Sequence, residues 1–158
     1  MTNETRSLEQ LVHAGDVAML TTQSVKGEMT SRPLTVAQAG DGFLTFLVDS
    51  TAPWLAGFSS TSGPEVNVAV SGARNTWVSI AGRATLGSDR STLERLWSPA
   101  ASAYFDSVND PRLAALQVIA RDGEYWSAPG GGPIGRLVAV VGAALGRDPG
   151  AHGAITPN

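Results

Sequence analysis

The sequence predicts one mostly β (α+β) domain, in which six antiparallel strands close into a small barrel with helices at its periphery. Three observations carry this. Short apolar or alternating stretches are separated by tight Lys26-Gly27 and Asp41-Gly42 turns, the pattern of hairpins rather than of βαβ units. Gly82 interrupts the longest stretch, where a barrel strand bulges or bends at a corner. A chain of 158 residues, 42% hydrophobic and 16% charged, has enough apolar material for one core without disulfides or a structural metal.

The elements follow in order. Ser7 and Gln10 have capping-box spacing, and Leu8, Leu11 and Val12 follow at helical intervals up to a stop at Gly15. Val17 to Ser24 and Met29 to Gln38 read as a hairpin around Lys26-Gly27. Phe43 to Asp49 is the third strand. Thr51 is placed to cap a short helix through Phe58, with Pro53 in its first turn and an N-terminus that offers N–H groups to an anion. Ser59 to Pro64 is a loop. Glu65 to Ser71 alternates with its valines on one face. After a turn at 72–75, Thr76 to Gly87 carries Val78, Ile80, Ala84 and Leu86 on one side.

Asp89 caps a helix through Trp97 whose inner face is Leu93, Leu96 and Trp97. Ser98-Pro99 interrupts it, with a further turn or two over Ala100 to Phe105. Leu113 to Ala120 and Glu124 to Ser127 read as a strand pair or one bulged strand around Arg121-Asp122-Gly123. The barrel core is expected over about 8–128, a connector over Pro129 to Pro133, a small-residue helix over about 134–145 and a mobile tail over 146–158, in which Ala154-Ile155-Thr156 is the part able to add to a surface. No internal repeat or domain boundary is visible, so 1–158 reads as a single domain.

Composition excludes several functions. The chain has no cysteine, hence no thiol catalysis, iron–sulfur cluster or zinc knuckle. The net charge is −3 and the only lysine is Lys26, so no basic field favours nucleic acid. His13 and His152 lack partners at metal-ligand spacing, and no metal site is expected. Gly130-Gly131-Gly132-Pro133 is no phosphate loop, because no Gly-Lys-Ser/Thr follows. Met1 to Gln10 has no secretory pattern and Leu137 to Leu145 is too short to span a bilayer, so the expected location is cytoplasmic, with no membrane partner.

A sequence of motifs then stands out. Met19-Leu20-Thr21-Thr22, Ser31-Arg32-Pro33-Leu34, Leu44 to Asp49 and Val66-Asn67-Val68 together resemble the pyridoxamine 5′-phosphate oxidase-like split-barrel family. Trp77 to Gly82 is similar to that family's YVSVSG strand. Glu94 to Pro99 followed by Tyr104-Phe105, and Glu124-Tyr125-Trp126 followed by Pro129, resemble elements of its general stress protein branch. The resemblance implies a six-stranded antiparallel split β-barrel, a homodimer, and FMN or another flavin in clefts at the dimer interface.

It also implies which residues line the cleft: Arg32, Pro33, Leu34, Val48, Asp49, Ser50, Thr51, Trp54, Trp97 and Trp126. The chemistry of Arg32 suits the role, since a planar, always-charged fork matches phosphate oxygens. Alone, it reads more readily as a strand arginine that reaches water or pairs with a carboxylate. Pro33 lacks a donor for a strand ladder and marks an edge or bulge. The family's phosphate-binding pattern resembles DSPK. Aligned on the proline, this chain has Ala52 for its serine and Trp54 for its lysine. The aromatic residues Trp54, Trp77, Trp97 and Trp126 are large hydrophobes first, suited to core, interface or ring contact. Asn67 and Ser79 suit flavin edges or solvent equally.

The resulting expectation is a flavin-binding, FMN-type oxidoreductase with no assignable catalytic acid or base. The alternatives are a non-enzymatic, stress-related flavin-binding module and a degenerate barrel that has lost the flavin.

Overall fold

Alternation of apolar side chains produces a barrel that closes on itself. The structure is a computed structural model and describes residues 5–72, 75–127 and 151–156. Its elements are β1 (Arg6–Ser7), α1 (Leu8–Leu11), β2 (Val17–Gln23), β3 (Met29–Gly40), β4 (Phe43–Asp49), β5 (Glu65–Gly72), β6 (Thr76–Gly87), α2 (Arg90–Leu96), β7 (Leu113–Ser127) and β8 (Ala151–Thr156). The ladder runs β2–β3–β4–β7–β6–β5 and returns to β2, each pair antiparallel. The six-stranded antiparallel split barrel read from the sequence is therefore present. β8 adds antiparallel to β7 over Glu124–Ser127 and runs parallel to β1.

Inward positions carry Leu20, Leu44, Phe46, Val68, Ile80 and Leu116, each at most 1% exposed. Leu8 and Val12 join this core from α1 and its C-cap. Burying side chains of this size contributes about 1.5–3 kcal/mol each, offset by the entropy of ordering the chain. A second cluster lies on the outer face of β4 and β7, where Leu93 of α2 packs with Phe105, Leu113, Ala115, Leu47 and Trp97.

Two irregularities shape the barrel. At Gly82, Ala81 pairs with Asp122 but Gly82 pairs with Ala120, so Arg121 is extra on β7. A Cβ on Gly82 would overlap the Ile119 carbonyl oxygen, so the close approach of the two backbones requires glycine. The expected bulge is there, and β7 is one bulged strand. The second irregularity is in β3. Residues 29–35 pair only with β2, and pairing to β4 begins at Val36 with a register shift before Gln38. Among the described residues, the β4-facing edge of 29–35 is thus open, and Pro33 sits in it.

Local signals at helix ends hold well. The Gln10 side chain accepts from the Ser7 N–H at 3.0 Å, and Asp89 accepts from the Thr92 N–H at 3.0 Å. Two expectations need correction, over 51–58 and in the C-terminal tail. The helix over 51–58 is only a 3₁₀ turn, Pro53–Leu55, because Thr51 donates its hydroxyl to Asp49 Oδ1 instead of capping. The further turn expected over Ala100 to Phe105 is present, as the 3₁₀ turn Ala101–Ala103. Within the tail expected at 146–158, Ala151–Thr156 is strand β8; its Ile155 is 3% exposed and so is anchored in the core. The connector at 129–133 and the helix at 134–145 lie outside the described residues. Among the described residues, no helix is long and apolar enough to cross a membrane.

Candidate functional site

Arg32 is placed by strand register. It lies opposite Leu20 of β2, so it shares the barrel's inner face with a core residue, at a half-buried position on the open-edged part of β3. Its Nη1 donates to Thr22 Oγ1 at 2.8 Å. Its guanidinium carbon stands 4.3 Å from the Trp54 ring centroid, a cation–π contact. Trp54 is held in turn by an edge-to-face contact with Phe58, 5.9 Å between centroids. No carboxylate pairs with Arg32 among the described residues. Partial burial pulls the Arg32 pKa below its ordinary value, the mark of a cation that has lost water without gaining a counter-charge.

The turn after β4 is organised differently. Asp49 Oδ1 accepts from the Thr51 N–H at 2.9 Å and from its hydroxyl at 2.6 Å, and Arg112 Nη1 lies 3.7 Å from Asp49 Oδ2. These hydrogen bonds, then Arg112, hold the Asp49 carboxyl below the usual carboxylate range. The Ser50 N–H donates to the Arg112 carbonyl at 2.7 Å, and the Ser50 side chain is exposed.

Arg112 is itself clamped. Its Nε and Nη2 donate to the two oxygens of Asp110 at 3.1 and 2.8 Å, and the Asp110 side chain is 3% exposed. Asp110 titrates well below an ordinary carboxyl, chiefly through these Arg112 hydrogen bonds, and Arg112 is raised in return. The network ties the turn after β4 to the loop before β7.

Of the sequence-predicted residues, the structure brings Arg32 and Trp54 into contact and keeps Asp49, Ser50 and Thr51 in one turn just upstream of Trp54. Pro33 is exposed on the open edge, and Leu34 packs partly into the core. Val48 is 4% exposed and faces the core. Trp97 belongs to the α2 cluster, and Trp126 sits on β7 opposite Trp77 of β6 and His152 of β8. Thr22, Phe58, Asp110 and Arg112 were missed. The Asp110-Pro111-Arg112 spacing was a usable signal for the clamp, since a fork two residues from a carboxylate closes a local ring. Nothing in the sequence paired Thr22 or Phe58 with their partners.

A groove of about 430 Å³ lies elsewhere, between α2 and the outer face of β4, β6 and β7. It shares no lining residue with the Arg32–Trp54 contact.

Comparison with known proteins agrees with the fold. Residues 3–149 match the family model described as pyridoxamine 5′-phosphate oxidase like. None of the curated proteins matches the chain. Among solved structures, general stress protein 26 from Bacillus anthracis is similar at TM-score 0.64 and 14% identity, covering 75% of this chain and 89% of that one. The general stress FMN/FAD binding protein from Xanthomonas citri is similar at TM-score 0.63 and 26% identity, covering 73% and 82%. A protein related to general stress protein 26, from Clostridium acetobutylicum, gives TM-score 0.60 and 16% identity, covering 71% and 80%.

Proposed function

Because the chain belongs to the pyridoxamine 5′-phosphate oxidase-like family, we propose that its barrel binds FMN or a related flavin with Arg32 as phosphate anchor, and serves as a redox protein. The single observation that carries this reading is a half-buried guanidinium with no carboxylate partner among the described residues, beside an unpaired strand edge. Such a group is short of negative charge, and a phosphate supplies it in the geometry the fork prefers. The Xanthomonas relative described as FMN/FAD binding supports the choice of ligand.

The residues fit a flavin phosphate at Arg32 and less well in the turn after β4. There Ala52 and Trp54 bring neither hydroxyl nor ammonium, and the Thr51 hydroxyl is spent on Asp49. A three-residue 3₁₀ turn also offers little helix dipole. Anchoring then falls on Arg32, with Thr22 and Trp54 fixing its fork and with the Ser50 hydroxyl, uncommitted among the described residues, in the turn before Trp54. A bound flavin supplies hydride-type redox chemistry. The chain's part is to hold the phosphate and to present the open backbone of residues 29–35 to the ring.

The same reading includes a homodimer. Val17 and Met19 of β2 are 59% and 41% exposed. In register beside Met19 lie Pro33 of β3 and Ala69 of β5, both exposed, so an apolar band crosses the outer face. A second copy is the proposed cover.

A flavin-binding module without turnover is the second reading, favoured by the absence of any titratable group beside Arg32 among the described residues. A visible spectrum of the purified protein and an FMN titration test binding. A yellow protein, or quenching of FMN fluorescence on titration, is expected; a colourless protein that leaves FMN fluorescence unchanged overturns both readings. NAD(P)H oxidation above that of free FMN separates the first from the second.

A further inference from the structure

The outer face of the barrel carries a polar row that the flavin reading does not use. Gln38 of β3 pairs with Thr45 of β4, Thr45 with Gln117 of β7, and Gln117 with Thr85 of β6. Four neutral hydrogen-bonding side chains thus stand side by side across four strands and line the groove of about 430 Å³. Neighbouring strands lie about 4.8 Å apart, so the row runs roughly 14 Å.

Thr45 is the informative member. It is 3% exposed and lines the groove, and its hydroxyl has no hydrogen-bond partner among the described residues. An unpaired buried hydroxyl is costly and is expected to have a partner. Gln117 and Thr85 are likewise uncommitted among the described residues. Gln38 Oε1 accepts from Arg95 Nη1 at 2.9 Å, which leaves its amide hydrogens available.

The charges at the rim cancel. Arg95 and Asp89 contribute one each, and Asp89 Oδ2 is already spent on Ser91 and Thr92. The groove therefore has no net charge with which to select a free carboxylate or ammonium, and Arg95 spends Nη1 on the neutral Gln38. Threonine hydroxyls and glutamine amides each donate and accept, as do the hydroxyls of a carbohydrate, whereas an anion only accepts and an ammonium only donates. The volume lies in the range of small-molecule pockets.

We propose that this groove binds a neutral polyhydroxylated molecule of mono- or disaccharide size along the Gln38–Thr45–Gln117–Thr85 row. The inference does not depend on flavin binding.

The test uses the full chain, ¹⁵N-labelled, with the side-chain amide signals of Gln38 and Gln117 assigned by single substitution to leucine. D-ribose, D-glucose and maltose are titrated separately, with inorganic phosphate as control. At least one sugar is expected to shift both amide pairs saturably, and phosphate to leave them in place. Thr45→Val is expected to weaken that sugar about tenfold, and Thr45→Ser, which keeps the hydroxyl, to retain it. No saturable shift with any of the three sugars means a groove that holds water only, and overturns the proposal. So does equal affinity in a folded Thr45→Val variant. If Thr45→Val fails to fold, the wild-type titration together with Thr45→Ser decides.

Discussion

Removing the Arg32 guanidinium should weaken FMN without unfolding the barrel. Among the described residues, the side chain makes one hydrogen bond, to Thr22 at 2.8 Å, and one stacking contact, with Trp54 at 4.3 Å. Losing both costs the free protein about 1–2 kcal/mol, roughly 1 from the hydrogen bond and 0.5–1 from the cation–π contact. For a chain of this size each kcal/mol lowers the melting temperature by about 2–4 °C. The Arg32→Ala barrel should therefore remain folded at room temperature. A charge-assisted hydrogen bond to phosphate is worth about 1.5–3 kcal/mol, and the half-exposed position argues for the lower part of that range. FMN affinity should fall about ten- to thirtyfold, read by quenching of flavin fluorescence at matched protein concentration. Arg32→Lys keeps the charge but loses the fork and should fall in between. A folded Arg32→Ala protein that binds FMN as tightly as wild type refutes the assignment of Arg32.

Three further outcomes follow from the same geometry. Trp54→Lys adds an ammonium to the turn after β4 but removes the ring that holds Arg32, so FMN should tighten by only about threefold, at some cost in melting temperature from lost packing on Phe58; unchanged or weaker binding would show that the turn after β4 is remote from the phosphate. Gly82→Ala pushes a methyl group into the Ile119 carbonyl and within 3.2 Å of Ala120 Cα, all backbone, and should cost about 1–3 kcal/mol in a thermal melt, whereas an unchanged melt would contradict the bulge. Asp110 is held below its unfolded pKa of about 3.9 by Arg112, so its contribution to stability is full above that value and fades as pH falls through the lower folded value. Asp110→Asn should therefore be less stable than wild type at neutral pH, with a gap that narrows below about pH 4; a gap constant with pH would deny the ion pair its role.

The barrel was legible because its information is local. Period-two burial in β5 and β6, glycines with positive φ at Gly27 and Gly42, and the Asp89 cap each involve residues a few positions apart. Gly82 was readable as a bulge because a glycine inside an alternating strand has few other uses. What failed was competition or distance. Thr51 had two acceptable jobs, and the Asp49 carboxylate two residues away won over the helix cap. β8 has almost no strand signal of its own, since alanine, glycine and histidine dominate it; pairing with β7 and the burial of Ile155 make it a strand. Arg32 could be singled out by its motif, but its contact with Trp54 joins residues on separate elements and left no trace in spacing. The polar row at Gln38, Thr45, Gln117 and Thr85 was invisible for the same reason, because only register puts four strands' side chains in line.

Whether one guanidinium supplies the anchoring charge for a phosphorylated ring system is decided by comparing FMN with riboflavin on wild-type and Arg32→Ala protein. The two ligands share the ring and differ in the phosphate. Wild type should prefer FMN by about tenfold or more, and the variant should lose most of that preference while holding riboflavin nearly as before. Equal affinity of wild type for the two ligands, or a preference that survives in the variant, would contradict that anchoring role.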